Sequence, residues 1–167
     1  MSNPHITLKK PERDDLDFIQ WLWSDQETMK SVGGPVIMND QEADEWFRRM
    51  VDPGSQENRY RLILNLQGIP IGEISYHRLD PRMLCAEFNI KIASQYRGKG
   101  FAGQAMLLFL DEYFNIVGGQ VMIDKIALSN LIGQRALLEF GFEHEPSSSE
   151  YFLVKITRKI FNKKYQY

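Results

Sequence analysis

Paired cysteines, membrane-length apolar runs and a strong charge of either sign are all missing from this chain of 167 residues. Its single cysteine, Cys85, has no intramolecular partner, which removes the disulfide-stapled scaffolds from consideration. That residue reads as a small core side chain and not as a nucleophile. The longest apolar runs, such as Met106 to Leu110, fall far short of the roughly 20 residues that cross a bilayer. The formal net charge is -2, so no global field recruits nucleic acid or an anionic membrane, and neither is an expected partner. The opening Met1-Ser2-Asn3-Pro4-His5 lacks the basic-then-apolar pattern of a signal peptide, and a cytoplasmic location is the expectation. His5, His77 and His144 show neither metal-ligand spacing nor convergent acids or thiols, so no metal site is expected.

What is present suits one globular domain over residues 1–167, since 43% of the residues are hydrophobic and 25% charged. Ile6-Thr7-Leu8 reads as a strand, followed by an amphipathic helix through Leu16, Ile19, Leu22 and Trp23 with an acidic first turn. Asn39, with Glu42 three residues on, starts a helix that buries Ala43, Trp46, Phe47 and Met50. Alternating runs from Tyr60 to Leu66 and from Ile69 to Tyr76 form a hairpin about Gln67-Gly68. A strand from about Leu84 to Ile92 sets Ala86, Phe88, Ile90 and Ile92 on one face, with Glu87, Asn89 and Lys91 on the other. After a glycine loop come a helix carrying Ala105, Leu108, Phe109, Glu112 and Tyr113, a strand Val121 to Leu128, and a helix Leu131 to Phe140 ended by Gly141. Pro146-Ser147-Ser148-Ser149 is a loop, and Tyr151 to Thr157 is a closing strand. The basic end, with Lys155, Arg158, Lys159, Lys163 and Lys164, reads as a solvated strand edge and tail. The element order is α+β or mixed α/β, one sheet with helices on both faces.

The glycine loop, Gln95-Tyr96-Arg97-Gly98-Lys99-Gly100-Phe101-Ala102-Gly103, lies between a strand and a helix start. Glycines let backbone approach a ligand, first-turn amides point outward, and the helix dipole favours anions there, so the loop describes a seat for phosphate groups. Gly98-x-Gly100-x-x-Gly103 also satisfies a dinucleotide fingerprint, with Asp124 near the distance of a ribose-binding acid. Against an NAD(P)-binding oxidoreductase, Asp124 falls inside a strand, and too little chain follows Gly103 for the rest of a nucleotide domain plus a substrate domain. The spacing around Lys99 excludes a P-loop.

The third reading is a coenzyme A pyrophosphate loop. Gln95-x-x-Gly98-x-Gly100, overlapped by Arg97-x-x-Gly100-x-Ala102, resembles the acyl-CoA signature of the GCN5-related N-acetyltransferases (GNAT). A second block, Asn130-x-x-Gly133-x-x-Ala136-Leu137-x-x-x-Gly141-Phe142, resembles the Asn-to-Gly-Phe helix of the same family. The resemblance spans nearly the whole chain and is nearest to the branch of ribosomal-protein N-terminal, spermidine and aminoglycoside acetyltransferases. Ala86-Glu87-Phe88 with Gly98-Lys99-Gly100-Phe101-Ala102 is most similar to the spermidine enzymes. It implies a single mixed, mostly antiparallel sheet of six to seven strands with helices on both faces, and acetyl-CoA (coenzyme A) as cofactor. It places the pantetheine arm and thioester oxygen on the backbone of Ile90, Lys91 and Ile92. The pyrophosphate then falls to the loop from Gln95 through Arg97, Gly98, Lys99, Gly100, Phe101 and Ala102 to Gly103, with charge assistance from Arg97 or Lys99. Asn130 is a helix cap, a cofactor contact, or both.

Acetyl transfer needs a deprotonated amine, and a primary amine titrating near ~10.4 is mostly ammonium at neutral pH. Glu87 is the first candidate base, Glu73 the reserve and equally a binder of a cationic substrate; Asp111 and Glu112 read as helix-surface decoration. Many members of the resembling family carry a tyrosine at the position of Leu137 to protonate the departing thiolate, and leucine cannot do so. Tyr76, Tyr113 and Tyr151 are the available substitutes. Acceptor identity is written mainly in the first helices and the hairpin loop, where Trp21, Trp23, Trp46, Asp25 and Glu27 occur; the tryptophans read as core-facing, and the acidic residues suit a polyamine, an aminoglycoside or a protein N-terminus alike. A homodimer is an expected arrangement. The alternative to an enzyme is a non-catalytic CoA-binding sensor or scaffold, motivated by Leu137 and Gly133.

Overall fold

A computed structural model describes residues 5–147 and 149–165. The opening residues Met1 to Pro4, whose pattern bears on location, and Ser148 of the expected loop lie outside the described residues.

The chain begins with β1 (Ile6–Lys9), then α1 (Leu16–Ser24), the single turn α2 (Gln26–Met29) and α3 (Asp40–Met50). Asn39 caps α3, its side chain accepting from the Glu42 N–H at 2.8 Å, as the Asn-x-x-Glu spacing predicts. The hairpin follows as β2 (Arg59–Asn65) and β3 (Pro70–Asp80), then β4 (Cys85–Ile92) and α4 (Phe101–Asp111), which runs into a wider π-helical turn ending at Gly118. The remainder is β5 (Val121–Ile126), α5 (Leu131–Phe140), β6 (Glu143–His144), β7 (Phe152–Thr157) and α6 (Arg158–Tyr165). β5 stops two residues before the expected Leu128, because the carbonyls of Ala127 and Leu128 accept from Gln134 Nε2 on α5 at 3.0 and 3.1 Å.

The strands form one seven-stranded sheet in the order β1-β2-β3-β4-β5-β7-β6. Every pairing is antiparallel except β4 with β5. The alternation in β4 works as expected: Ala86 and Phe88 are buried under α4 and α5, with Ile90 packed against the same core. The opposite face is covered by α1 and α3, where Ile19, Trp46, Phe47 and Val51 close on Tyr60 and Leu62 of β2.

The basic end corrects the expectation of a strand edge and tail. β7 lies inside the sheet between β5 and β6, and the residues after it are helical. The apolar residues of α6 supply the reason: Phe161 is fully buried, lies with its ring 5.4 Å from that of Phe114, and is joined by Tyr165, whose hydroxyl donates to Phe140 O at 2.6 Å. Of its cations, Lys159 and Lys163 are exposed, while Lys164 reaches back to donate to Glu139 O at 2.6 Å. Glu112 is also more than surface decoration, since it is half-buried and ion-paired with Arg59 and, at 4.0 Å, with Arg61.

Only Cys85, Ala86 and Glu87 of β4 are paired with β5, opposite Val121, Met122 and Ile123. This closed end is pinned by the Tyr113 hydroxyl, which lies 3.0 Å from Leu84 O and 2.8 Å from Val121 O, and by the Gln120 N–H donating to Leu84 O at 2.8 Å. Burial holds the Tyr113 phenol well above its ordinary pKa, so it stays a hydrogen-bond donor. Tyr113→Phe removes that bridge, and the expected outcome in urea unfolding is a loss of about 1–3 kcal/mol with an unchanged m-value.

Candidate functional site

Beyond Glu87 the two parallel strands diverge. Asn89 to Ile92 keep their β3 partners and Asp124 to Ile126 keep their β7 partners, but no pairing joins the two sets. A cleft fills the gap, with an outer portion of about 630 Å³ beside the glycine loop and an inner portion of about 500 Å³ against β5. The two share Ser31, Val32, Ile90, Ala102, Asn130 and Gly133, so they form one continuous channel. These are the dimensions of a small-molecule or cofactor site.

The outer portion is floored by the start of α4. Gly100 is its N-cap, with φ +83° and no capping side chain, and Gly98 also has a positive φ of +75°. A Cβ at either glycine would meet nothing within 4 Å, so backbone conformation and not crowding demands glycine, and the space above is left for a ligand. The first intrahelical bond is Gln104 N–H to Gly100 O at 3.3 Å, which leaves the amides of Phe101, Ala102 and Gly103 for an anion.

Of the expected cofactor residues, Ile90, Lys91 and Ile92 line the wall, Arg97, Gly98, Gly100, Phe101 and Ala102 the loop side, and Asn130 the far side. Gln95, Lys99 and Gly103 are not among the lining residues. Arg97 turns inward: its Nε donates to Ile92 O at 3.0 Å and its Nη2 to Thr28 O at 2.7 Å, so the guanidinium ties α2 to the loop. Its charge is near the seat, but its donors are largely committed to carbonyls. Lys99 is also exposed, its ammonium 5.8 Å over the Tyr96 ring. Asn130 caps α5 through Gly133 N–H at 3.0 Å, and a Cβ at Gly133 would lie 2.5 Å from its amide nitrogen. The Asn-x-x-Gly pair is therefore a single packing unit at the cleft wall. Ser31 and Val32, after α2, overhang the channel and carried no signal in the sequence. The exposed Leu131 and Ile132 add apolar surface at its mouth.

The polar face of β4 looks toward α1 and α3. Glu73 is fully buried there and receives Trp23 Nε1 at 2.9 Å, Lys91 Nζ at 2.9 Å, Asn89 Nδ2 at 3.4 Å and the Tyr60 hydroxyl. Burial, reinforced by the Glu73 charge, pushes the Tyr60 phenol well above its ordinary range. With its oxygens saturated, Glu73 is a structural anchor and has no capacity left for a substrate cation. Glu87 faces the same side and is held by His77 Nε2 at 3.0 Å, Lys125 Nζ at 3.1 Å and Arg78 Nη1 at 3.4 Å. Partial burial alone would raise its pKa, but Lys125, Arg78 and His77 outweigh that and the carboxyl is lowered. Glu87 does not line the cleft itself. His77, expected to sit away from acids, is thus a partner of Glu87; no cluster able to hold a metal occurs among the described residues. Asp25 caps α2 through Thr28 N–H at 3.1 Å, and so has a structural duty. Burial raises the Cys85 thiol, in line with an inert role.

The inner portion holds a carboxylate that the sequence offered only as a ribose-binding acid. Asp124 lies mid-strand, lining the cleft with Asn89, Met106, Leu137 and Tyr151. Burial pushes it up to about 7; the Lys125 backbone N–H and Lys91 oppose the rise and the charge of Glu87 adds to it. Asp124 projects into the inner channel from a mixed, mostly antiparallel sheet, which does not correspond to the dinucleotide reading.

The acetyltransferase (GNAT) domain family model matches residues 5–143, and the chain belongs to this family. A spermidine N(1)-acetyltransferase of Vibrio cholerae is 27% identical over 152 residues, 91% of this chain and 87% of that protein. An uncharacterized N-acetyltransferase of Bacillus licheniformis, p20, is 24% identical over 148 residues, 87% of this chain and 83% of that protein. Among solved structures, the Vibrio cholerae spermidine N-acetyltransferase in complex with CoA and spermine superposes with a TM-score of 0.84 at 23% identity, covering 95% of this chain and 99% of that one. A dodecameric form of the enzyme from the same organism gives 0.78 at 22% identity, covering 97% and 99%.

A carboxyl whose folded pKa lies above its unfolded value weakens the fold as it ionises. The cost is absent below the unfolded value of 3.8 and complete once the pH passes about 7. In thermal unfolding of the ligand-free protein, Asp124→Asn is expected to match the wild type near pH 4 and to exceed it at pH 8. The gain at pH 8 is about 2 kcal/mol after discounting for partial exposure, or roughly 4–8 °C in Tm.

Proposed function

We propose that this GNAT family member is an acetyl-CoA-dependent N-acetyltransferase that moves the acetyl group to a primary amine, with residues 1–167 working as one catalytic domain. The observation that carries the reading is the channel from the free amides of α4 into the opening between β4 and β5. Amides and a helix dipole at its outer end suit a pyrophosphate, and the unpaired edge of β4 from Asn89 to Ile92 suits an extended amide-bearing arm. An N–H of that edge aimed at the thioester oxygen supplies oxyanion stabilisation, typically worth about 2.7–4 kcal/mol. The family, the fold and the channel agree on this cofactor, and an enzyme with a built acyl site accounts for more of the structure than a non-catalytic sensor.

Within this reading Glu87 takes the proton of the attacking amine through water from the acceptor face, with His77 3.0 Å away to receive it in turn. The cations around Glu87 keep it ionised across the neutral range. The likeness to spermidine acetyltransferases supports a polyamine as acceptor. A second reading comes from the charges: Glu73 and Glu87 are both engaged by protein donors and cations, so neither is left to match a second positive charge. That favours an amine carrying one charge, such as a protein N-terminus. A higher kcat/KM for spermidine than for peptide α-amines supports the first, and the reverse order the second. A cytoplasmic location and a homo-oligomer complete the proposal.

Gly100→Val places a β-branched residue at φ +83°, and should abolish the thermal shift caused by acetyl-CoA. In the wild type that shift corresponds to about 2.7 kcal/mol at 100 times the dissociation constant. NAD should shift neither protein. Glu87→Gln is expected to lower kcat/KM about 10²-fold at neutral pH and much less at high pH, where the amine is already deprotonated. An unchanged profile removes Glu87 from the mechanism.

A further inference from the structure

Neither the pyrophosphate seat nor the acceptor face uses Asp124. It stands in β5 between Met122 and Ile126, two positions in either direction, and both of those side chains are buried in the core formed with α4 and α5. Strand alternation therefore turns Asp124 to the helix side, away from Ile123 and Lys125. There it shares the inner end of the channel with Met106 of α4 and Leu137 of α5, neither of which carries a transferable proton.

We propose that Asp124 is the catalytic acid of the acyl transfer, delivering its carboxyl proton to the cofactor sulphur as the carbon–sulphur bond breaks. This rests on the acetyl-transfer reading above. The amine nitrogen attacks the thioester carbon and forms the carbon–nitrogen bond, and the carbon–sulphur pair departs on sulphur. Sulphur takes the Asp124 proton to leave as a thiol, and the proton shed by nitrogen passes to water through Glu87. Asp124 regains a proton from water when the product leaves. Burial pushes its carboxyl up to about 7, so it holds a proton closer to neutral pH than an ordinary carboxyl does and remains a suitable donor to a thiolate whose thiol resembles cysteine at about 8.5. Acetyl-CoA in the channel would strip remaining water from the carboxyl and favour the protonated form further.

The groups around Asp124 leave it this task. From β4 it feels Glu87 and Lys91, which are bonded to Lys125 and Glu73 on the opposite face. From its own strand it has the Lys125 N–H, and from the segment before β7 Tyr151, whose ring lies 5.5 Å beneath the Lys125 ammonium. Its β7 register partner is Val154, and α4 and α5 bring Ala102, Met106, Gly133, Ala136 and Leu137 to the channel. Tyr113 is committed to two carbonyls, and Tyr76 is buried against Phe109 and Tyr113.

The test compares wild type, Asp124→Asn, Tyr151→Phe and the double variant Asp124→Asn with Leu137→Tyr. With acetyl-CoA and spermidine, Asp124→Asn should lower kcat about 10²-fold at unchanged KM for acetyl-CoA, and Tyr151→Phe should change it less than about threefold. Wild-type kcat should fall as the pH rises above the Asp124 pKa, a limb absent from Asp124→Asn. A tyrosine at 137 in the double variant should recover about tenfold by returning a proton donor to the same space. A readout independent of any acceptor is the ultraviolet titration of the thiol of bound CoA. That thiol should ionise at lower pH in Asp124→Asn, where no carboxylate opposes the thiolate. The proposal is overturned if CoA stabilises both proteins but its thiol titrates identically, if kcat is unchanged, if Tyr151→Phe carries the loss, or if an acidic limb disappears instead. Absence of any acetyl-CoA or CoA thermal shift in the wild type would instead overturn the acetyl-transfer reading itself, and the proposal with it.

Discussion

The parallel contact between β4 and β5 is three residues long, and the rest of the site follows from where it stops. Cys85 to Glu87 are paired with Val121 to Ile123, and the Tyr113 hydroxyl bolts the carbonyls of Leu84 and Val121 together at the closed end. Past Glu87 each strand is held only by its outer neighbour, β3 on one side and β7 on the other. An unpaired strand edge inside a sheet exposes polar backbone that must find a partner. Here the gap is lined by the first turns of α4 and α5, so the partner the fold is built for is an extended ligand with amides along its arm and an anion at its end.

Side-chain alternation on the two diverging strands sorts the charges. On the face toward α1 and α3, Glu73, Lys91, Glu87, Lys125 and His77 are knitted into pairs, and Lys91 lies 5.2 Å over the Trp23 ring. Such buried or half-buried pairs add little net stability against apolar replacements, but each is costly to break singly. They hold β3, β4 and the open part of β5 in register where the β4–β5 ladder no longer does. On the helix face the channel is mostly apolar, and Asp124 is the carboxyl among its inner lining.

Much of this was legible in the residues. The alternation of Ala86, Phe88, Ile90 and Ile92, the Asn39 and Asn130 caps, and the positive-φ glycines at 98 and 100 are local signals, and local physics decides them. The unreadable features are those set by distant chain. Arg97 sits in a phosphate-loop motif, yet its guanidinium donates to Thr28 and Ile92 carbonyls, a contact across 69 residues for the first of these. The basic residues after β7 outweighed Phe161 as a pattern, although that one aromatic ring, fully buried against Phe114 and Phe140, docks α6. His77 and Glu87 meet only because β3 and β4 pair in the register that sets them opposite one another.

Asp124 shows why chemistry hides from a sequence more readily than fold. Between Met122 and Ile126 on a strand, the pattern asks for an aliphatic residue, and burial of a carboxylate there costs stability at neutral pH that the field of Lys91 only partly offsets. The same desolvation that weakens the fold keeps a proton on the carboxyl near pH 7, at the inner end of the channel where Leu137 has none to give. Fold and reaction therefore make opposite demands on one position. The residue present is the one that serves the reaction, and the cost is borne by a core that Tyr113, Phe161 and the Glu73 cluster hold together elsewhere.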